Sequence, residues 1–390
     1  MTSDSIATIS ERGAKRWADG HPWVFKSDVV QPPAGPAGAV AVRDQRGRPL
    51  GWALWSSASE ISLRFIDRDP AARIDGAWWR TMLQRAIARR APLESETNAC
   101  RLVHGEGDGL PSLVVDRFER WIVVQFLSAG VEAFRGAIVD ALRELTGADG
   151  ALARNDVSVR GREGLDKKVE LLWGEVPETV EVSEHGVRYL AAPWTGQKTG
   201  AFLDQRENRV LAGSVARGRA LDVFSYHGSF ALHLARRATQ VTAVDSSGPA
   251  LERAAENVRR NGFTNVSLVE ADAFEFLRDE LAQGERYETI VLDPPAFAKS
   301  RASLVGATRG YRDVNLHAMK LLERGGLLYT ASCSYHLTKP LFLEMLRDAA
   351  AASGRRMILR AVTGQPLDHP EVVTIPETGY LKGALLEAAD

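Results

Sequence analysis

Apolar positions along this chain change period twice. Between residues 39 and 67 they fall in short β-type runs, AVAVRD (39–44), GWALWSS (51–57) and ISLRFID (61–67), separated by turn residues at 45–49 and 58–60; this spacing predicts a small β-barrel or sheet. Helical spacing takes over at 76–90, where Trp78, Trp79, Met82, Leu83, Ala86 and Ile87 recur on one face. Two strand runs around a Gly/Asp/Pro turn follow (101–118 and 120–127), then a helix over 131–145 ending near Gly147, a compact α+β segment. Residues 180–193 read as a hairpin turning at His185 and Gly186. From there strands and helices alternate. The runs at 220–225, 240–247, 265–272, 289–295 and 326–334 are nearly continuous in apolar residues, the pattern of parallel strands covered on both faces by crossover helices. The helix after the second run has Ser247 as N-cap, Pro249 in its first turn, a buried face of Ala250, Leu251, Ala254, Ala255 and Val258, and a stop at Asn261-Gly262. The expected organisation is a small β-rich domain (1–72), a central α+β domain (73–180) and a C-terminal Rossmann-like α/β domain (181–390).

Composition narrows the possibilities. With 45% hydrophobic and 25% charged residues the chain is ordinarily globular. Two cysteines in no C-x-x-C pattern argue against structural zinc and exclude a disulfide framework, so no metal is expected and a reducing cytoplasm is the expected location. The polar N-terminus lacks the apolar core of a signal peptide, and no apolar run reaches the ~18 residues of a membrane span. A net charge of −1 argues against nucleic-acid binding by bulk charge. The charge is uneven, however: residues 1–91 hold 14 Lys/Arg against 9 Asp/Glu. A polyanion-binding face is therefore expected at the N-terminal end, where Lys15, Arg16, Trp23, Phe25 and Lys26 interleave charge with aromatic surface.

The chemistry sits at the carboxyl ends of the α/β strands, where open sheets of this class bind ligands. The first strand runs into LDVFSYHGSF, with Asp222, Ser225 and Gly228 at the turn. A nicotinamide fold prefers G-x-G-x-x-G there to receive a pyrophosphate, and Tyr226, His227 and Ser229 stand in its place. Asp245, 23 residues after Asp222, ends the second strand at the spacing of a ribose-binding acid. The third ends in Glu270 to Asp272, which can face an adenine amino group, and the fourth in Asp293-Pro294-Pro295, whose prolines stop the strand and stiffen the backbone. Any one acid is as well explained by a helix cap; the ordered series resembles the class I S-adenosylmethionine methyltransferases. Cys333 follows the next strand. A free cysteine is often a small buried hydrophobe, but beside D-P-P a thiolate could add to carbon 6 of a cytosine or uracil and make carbon 5 nucleophilic. Asp293 is the candidate to hydrogen-bond N3 or the exocyclic amine, and Asp293, a water or His336 could remove the carbon 5 proton.

GQKTGAFLDQRENR (196–209), LDVFSYHGSF, LDPPAFAKS (292–300), RGYRDVN (309–315), SCS and ETGYLKG (377–383) together resemble the bacterial large-subunit ribosomal RNA cytosine-C5 methyltransferase family. RWADGHPWVFKSDV (16–29) resembles the opening of that family's PUA domain and RLVHGEGDGLPSLVVDRF (101–118) its central domain, so the likeness spans almost the whole chain. It implies that Cys333 is the nucleophile, that Gln197, Thr199 and Arg206 lie beside the methionine end of S-adenosylmethionine, and that Asp222, Ser225, Gly228, Asp245, Asp272 and Asp293 line its site. Arg206 suits a carboxylate, which a guanidinium can grip in two places. The family usually has F-S-Y-T-G-G-F in the cofactor loop; here His227 and Ser229 replace the Thr and the second Gly, and a Cβ at 229 limits positive φ. Lys299, Arg301, Arg309 and Arg312 could hold phosphates near the reacting base. The expected partner is RNA of the large ribosomal subunit, with a homodimer as one arrangement and no membrane. Competing readings are methylation of another RNA atom or of a uracil, and a noncatalytic RNA-binding assembly factor.

Overall fold

The computed structural model describes residues 6–298 and 303–390. The chain forms two compact units, one of Met1–Val182, Ala191–Leu203 and Leu367–Thr378, the other of Ser183–Leu190, Asp204–Pro366 and Gly379–Asp390.

Among its described residues the first unit has a six-stranded and a five-stranded sheet. The six-stranded one runs Trp23–Val24, Leu63–Asp67, Pro49–Trp55, Gly38–Asp44, Ile6–Ile9, Val29–Gln31. Its expected strands alternate as a half-buried sheet must, sending Val40, Val42, Ala53, Trp55, Leu63 and Phe65 into one core. Helix Glu11–Ala18, capped by Ser10, lays Trp17 flat on Phe65 with ring centroids 4.1 Å apart. The five-stranded sheet, Val169–Gly174, Gly150–Arg154, Trp121–Phe126, Leu113–Phe118, Ala99–His104, shares a core with helices Gly76–Ala88 and Arg135–Thr146.

The single helix expected over 131–145 is instead two, Ala129–Glu132 and Arg135–Thr146, broken at Phe134. Tertiary contacts override the local period: the Gly130 N–H donates to Ser56 Oγ (3.1 Å), the Ala129 N–H to Glu163 Oε2 (3.2 Å), and Phe134 packs on Trp79. The hairpin Val180–Glu184 and Val187–Ala191 turns where expected, His185 and Gly186 both having positive φ (47° and 82°).

The second unit is built on one sheet of seven strands: β1 Arg219–Val223, β2 Gln240–Asp245, β3 Val266–Glu270, β4 Tyr287–Leu292, β5 Leu322–Ser332, β6 Met357–Thr363 and β7 Lys382–Ala388. Their order is β3-β2-β1-β4-β5-β7-β6, with β1 to β5 parallel and β7 antiparallel to both neighbours. Among the described residues six helices accompany them: α1 Arg206–Val215, α2 Ser229–Ala235, α3 Gly248–Arg260, α4 Ala273–Ala282, α5 Leu304–Leu321 and α6 Lys339–Ser353. Side chains alternate across the sheet: Leu221, Val223, Ile290, Leu292 and Leu328 join the core that contains Tyr311 of α5 and Phe342 of α6. Ala220, Val241, Ala243, Val291 and Tyr329 join the core that contains Ala212 of α1 and Phe230 of α2. Strand order reverses between β1 and β4, which puts the ligand crevice of this fold class at their carboxyl ends. The antiparallel pair β6 and β7 lies outside the alternating pattern read from the sequence. Edge strand β6 leaves Ile358, Leu359 and Val362 exposed, so it carries no sign of burial on both faces.

Candidate active site

The turn after β1 is wound tightly. Phe224, Tyr226 and Gly228 have positive φ (66°, 50° and 81°), and the turn is held by Ser225 N–H to Val244 O (3.0 Å), Gly228 N–H to Ser225 O (2.8 Å) and Tyr226 N–H to Asp245 Oδ2 (2.8 Å). Left-handed backbone at non-glycine residues costs on the order of 1 kcal/mol each and collects at functional sites. Gly228 adopts its positive φ without a Cβ, which would meet Ala254 Cβ at 3.2 Å, and Ser229 opens α2 outside the positive-φ set, so its Cβ does not strain the loop. His227 is buried against Tyr189 (5.3 Å between centroids) and Tyr226 (4.7 Å). Burial, aided by the charge of Arg209, pushes its pKa down to about 4, so the ring is neutral at physiological pH. Tyr189 is itself anchored: its hydroxyl donates to Glu184 Oε2 (3.0 Å), and Glu184, fully buried, accepts from Arg209 (2.7 and 2.6 Å) and faces His233 (3.1 Å). Burial opposes ionisation of Glu184, but the Arg209 guanidinium and His233 outweigh it and hold the carboxyl well below its usual range.

Asp222 is wholly buried. Its Oδ2 accepts the Ala231 N–H (2.8 Å), while Oδ1 has no partner among the described residues, nor has the buried Ser225 hydroxyl. Burial raises the Asp222 pKa well above the ordinary value; the Ala231 N–H opposes this, and the negative charges of Asp293 and Asp245 add to it. Unsatisfied buried acceptors cost about 1–3 kcal/mol each, a cost that a cationic, hydrogen-bonding ligand would offset. Asp245, half-buried, accepts from Tyr226 N–H and, through Oδ1, from Ser247 N–H (2.9 Å). Glu270 lies opposite it in the β2–β3 register, exposed, with its carboxylate so close to Gly248 that a Cβ there would meet Oε2 at 3.1 Å. Asp272, also exposed, caps α4 by accepting the N–H groups of Phe274 (2.9 Å) and Glu275 (3.1 Å).

Asp293 follows β4, and its Oδ1 accepts the Gln205 side-chain amide at 2.7 Å; Gln205 in turn accepts from Asn208 at 2.6 Å. Cys333 follows β5, half-buried and outside any disulfide. The two loops are stitched together. Ser334 Oγ accepts the Ala298 N–H (3.1 Å) and lies 2.8 Å from the Tyr311 hydroxyl, which is 3.2 Å from Pro295 O. Phe297 packs on Tyr311 (4.6 Å) with Phe224 and Phe274 beyond it. From β7, Lys382 Nζ donates to Ser334 O (2.6 Å) and Tyr380 O (2.8 Å). Gln205, Tyr311 and Lys382 are absent from the residues picked out in the sequence; all three lie within strings that carry the family resemblance.

The remaining candidates are more dispersed. Arg206 is fully buried at the start of α1. Gln197 and Thr199 belong to the first unit, Gln197 exposed and Thr199 buried with its hydroxyl on Asp116 Oδ2 (2.6 Å). Also in that unit, Arg16 pairs with Asp28 (3.1 Å) and lies over the Phe25 ring (4.8 Å). Trp23 donates to Glu106 (2.9 Å), and Lys15, beside Asp19, and Lys26 are exposed. Arg309 and Arg312 are exposed on α5. Lys299 and Arg301 lie outside the described residues.

A family model described as S-adenosylmethionine-dependent methyltransferase matches residues 100–376, and one described as PUA-like domain matches residues 7–68. The chain belongs to the S-adenosylmethionine-dependent methyltransferases. Proteins named ribosomal RNA large subunit methyltransferase I are similar to this methyltransferase along nearly its whole length. The one from Shigella boydii is 39% identical over 372 residues, covering 93% of this chain and 94% of its own, and the one from Klebsiella pneumoniae (strain 342) is 39% identical over 93% of each. Among solved structures, a candidate SAM-dependent methyltransferase from Streptococcus mutans shares the fold with a TM-score of 0.84 and 21% identity, covering 98% of this chain and all of that one. Another, a candidate methyltransferase complexed with SAH, gives 0.85 at 21% identity with the same coverage.

The methyltransferase's own residues suit that cofactor. S-Adenosylmethionine carries a sulfonium and an ammonium, and the orphaned Asp222 Oδ1 and Ser225 Oγ, with Asp245 and Asp293 on the neighbouring strand ends, offer acceptors and negative potential to positive groups. Among the described residues no helix is long and apolar enough to cross a membrane.

Proposed function

We propose that this methyltransferase acts on large-subunit ribosomal RNA and methylates carbon 5 of a cytosine, with Cys333 as nucleophile. The observation that carries the reading is the stitch through Tyr311, Ser334 and Ala298, which ties the Asp293 loop to the Cys333 loop. The relatives' name supports ribosomal RNA as substrate, and the PUA-like domain supports RNA contact through Lys15, Arg16, Phe25 and Lys26. Bound S-adenosylmethionine supplies an electrophilic methyl group. Cys333 Sγ adds to carbon 6, leaving carbon 5 an enamine carbon able to take that methyl. Asp293, aimed by Gln205, hydrogen-bonds N3 or the exocyclic amine as charge moves onto the ring. Transfer of the carbon 5 proton to Asp293, a water or His336 then lets the Cys333 thiolate leave.

The test is RNA bearing 5-fluorocytosine at the target, a position first located by nucleoside mass spectrometry of RNA from cells with and without the protein. Methyl transfer makes carbon 5 quaternary, and fluorine cannot depart as a proton does, so the enzyme should remain covalently attached on a denaturing gel. Attachment should require S-adenosylmethionine and vanish in Cys333→Ala. Methylation without an adduct, or full activity in Cys333→Ala, would refute the covalent route and favour methylation of another atom.

A further inference from the structure

We propose that Lys382 is the electrostatic partner of Cys333, a positioning residue whose ammonium holds the sulfur as the thiolate that attacks carbon 6. This rests on the reading of Cys333 as nucleophile. Lys382 opens β7 directly opposite Ser332 in the antiparallel register with β5, so its backbone is fixed one residue from Cys333. Its side chain is only 3% exposed, an unusual place for a lysine. Two of its three N–H groups are directed by carbonyls, Ser334 O immediately after Cys333 and Tyr380 O on its own segment. An ammonium clamped to the carbonyl of Ser334, the residue after Cys333, is a fixed positive charge whose field reaches the thiol, the environment that favours thiolate.

The electrostatics agree with the geometry. Burial pulls the Lys382 pKa down to about 8, and the Cys333 charge works in the opposite direction. Tyr311, from α5, has its phenol pushed up by burial and further by Cys333, so it is neutral at physiological pH. Asp293, at the end of β4, is an acid. Tyr335 and His336 follow Cys333 on its own loop, and Tyr380, before β7, donates its hydroxyl to Asp204 (2.8 Å). Proton balance is simple: Sγ–H gives its proton to solvent, the anion pairs with Lys382, and the pair separates when sulfur bonds to carbon 6.

The pair is tested without RNA. Intact protein is alkylated with iodoacetamide across pH 5.5 to 9.5, and the Cys333 peptide is followed by mass spectrometry, apart from that of buried Cys100. The wild-type midpoint should lie below the roughly 8.5 of an ordinary thiol. Lys382→Met should raise it by about one unit and slow alkylation at pH 7 roughly ten-fold, and Lys382→Arg should restore most of the rate. Equal midpoints in wild type and Lys382→Met would overturn the proposal. If Lys382→Met does not fold, a wild-type midpoint at about 8.5 or above overturns it alone. A low midpoint alongside full methylation by Cys333→Ala would instead sink the nucleophile reading and leave the pair standing.

Discussion

Replacing Asp222 by Asn should stabilise the cofactor-free protein and weaken its hold on S-adenosylmethionine. The substitution keeps the shape, and an Asn carbonyl can still accept the Ala231 N–H, so the turn into α2 is preserved. What disappears is an ionisable carboxyl, wholly buried, whose second oxygen has no partner among the described residues and whose ionisation Asp245 and Asp293 oppose. An unsatisfied buried acceptor costs on the order of 1–3 kcal/mol, and the amide Nδ2 that takes its place is a donor in the field of the two carboxylates that oppose ionisation of Asp222. Relief of that size should raise the melting temperature of the cofactor-free protein by about 2–4 °C per kcal/mol. The sign with pH is fixed by linkage: a carboxyl whose folded pKa is raised destabilises the fold once pH exceeds its unfolded value, so the gap should open as pH climbs from the carboxylate range toward neutrality and close again in acid. For binding, loss of a hydrogen bond to a charged group costs about 1.5–3 kcal/mol, or roughly 10- to 150-fold in Kd. Thermal melts at several pH values and calorimetric titration with S-adenosylmethionine measure both. A destabilised cofactor-free variant, or one that binds the cofactor as tightly as wild type, would refute the argument that Asp222 is held strained for a cationic ligand.

Gln205→Ala should lower the methylation rate by roughly ten-fold or more with little change in melting temperature, because it removes a hydrogen bond that aims Asp293; Asp293→Asn, which removes the contact itself, should cost about 10² to 10³, and single-turnover kinetics would rank them. His227→Thr should flatten the acid limb of the stability curve. His227 titrates near 4 in the fold against 6.5 when unfolded, so its contribution is complete above about pH 6.5 and is lost as pH falls toward 4, about 3 kcal/mol at most; denaturant titrations at pH 7 and pH 5 should show a smaller difference for the variant than for wild type.

The strand ends were legible in the sequence because parallel strands buried on both faces announce themselves as continuous apolar runs, and a run's last residue is where an acid or thiol becomes available. Asp245 ends β2, Asp222 is the second-to-last residue of β1, and Asp293 and Cys333 each follow a strand directly. Their supports were not legible, because each works over a distance in sequence that no local pattern spans. Gln205 reaches Asp293 across 88 residues, Tyr311 reaches Ser334 across 23, and Lys382 reaches Ser334 across 48. Asp272 shows the converse. Its place after β3 suggested an adenine contact, yet Glu275 three positions on gives it the D-x-x-E signature of a helix cap, and in the structure its Oδ1 is occupied as one. The same residue carries both signals: the cap takes Oδ1, and the adenine contact remains the expectation drawn from the sequence.

The cofactor loop explains how the site keeps its negative charge. Arg209, a buried cation close to the loop, is neutralised by Glu184, and burial keeps His227, in place of a threonine, uncharged. Neither therefore cancels Asp222, Asp245 or Asp293. The same pair fixes Tyr189, against which His227 stacks, so the histidine's volume braces a turn that Phe224, Tyr226 and Gly228 hold in left-handed conformations. The loss of a second glycine at position 229 is tolerated because the turn has ended by then and α2 has begun. Shape is supplied by burial behind the loop, and in front of it the Asp222 Oδ1 is left without a partner among the described residues. Both favour a ligand that brings positive charge of its own, which is why a substitution that merely neutralises Asp222 should improve the empty protein and harm the loaded one.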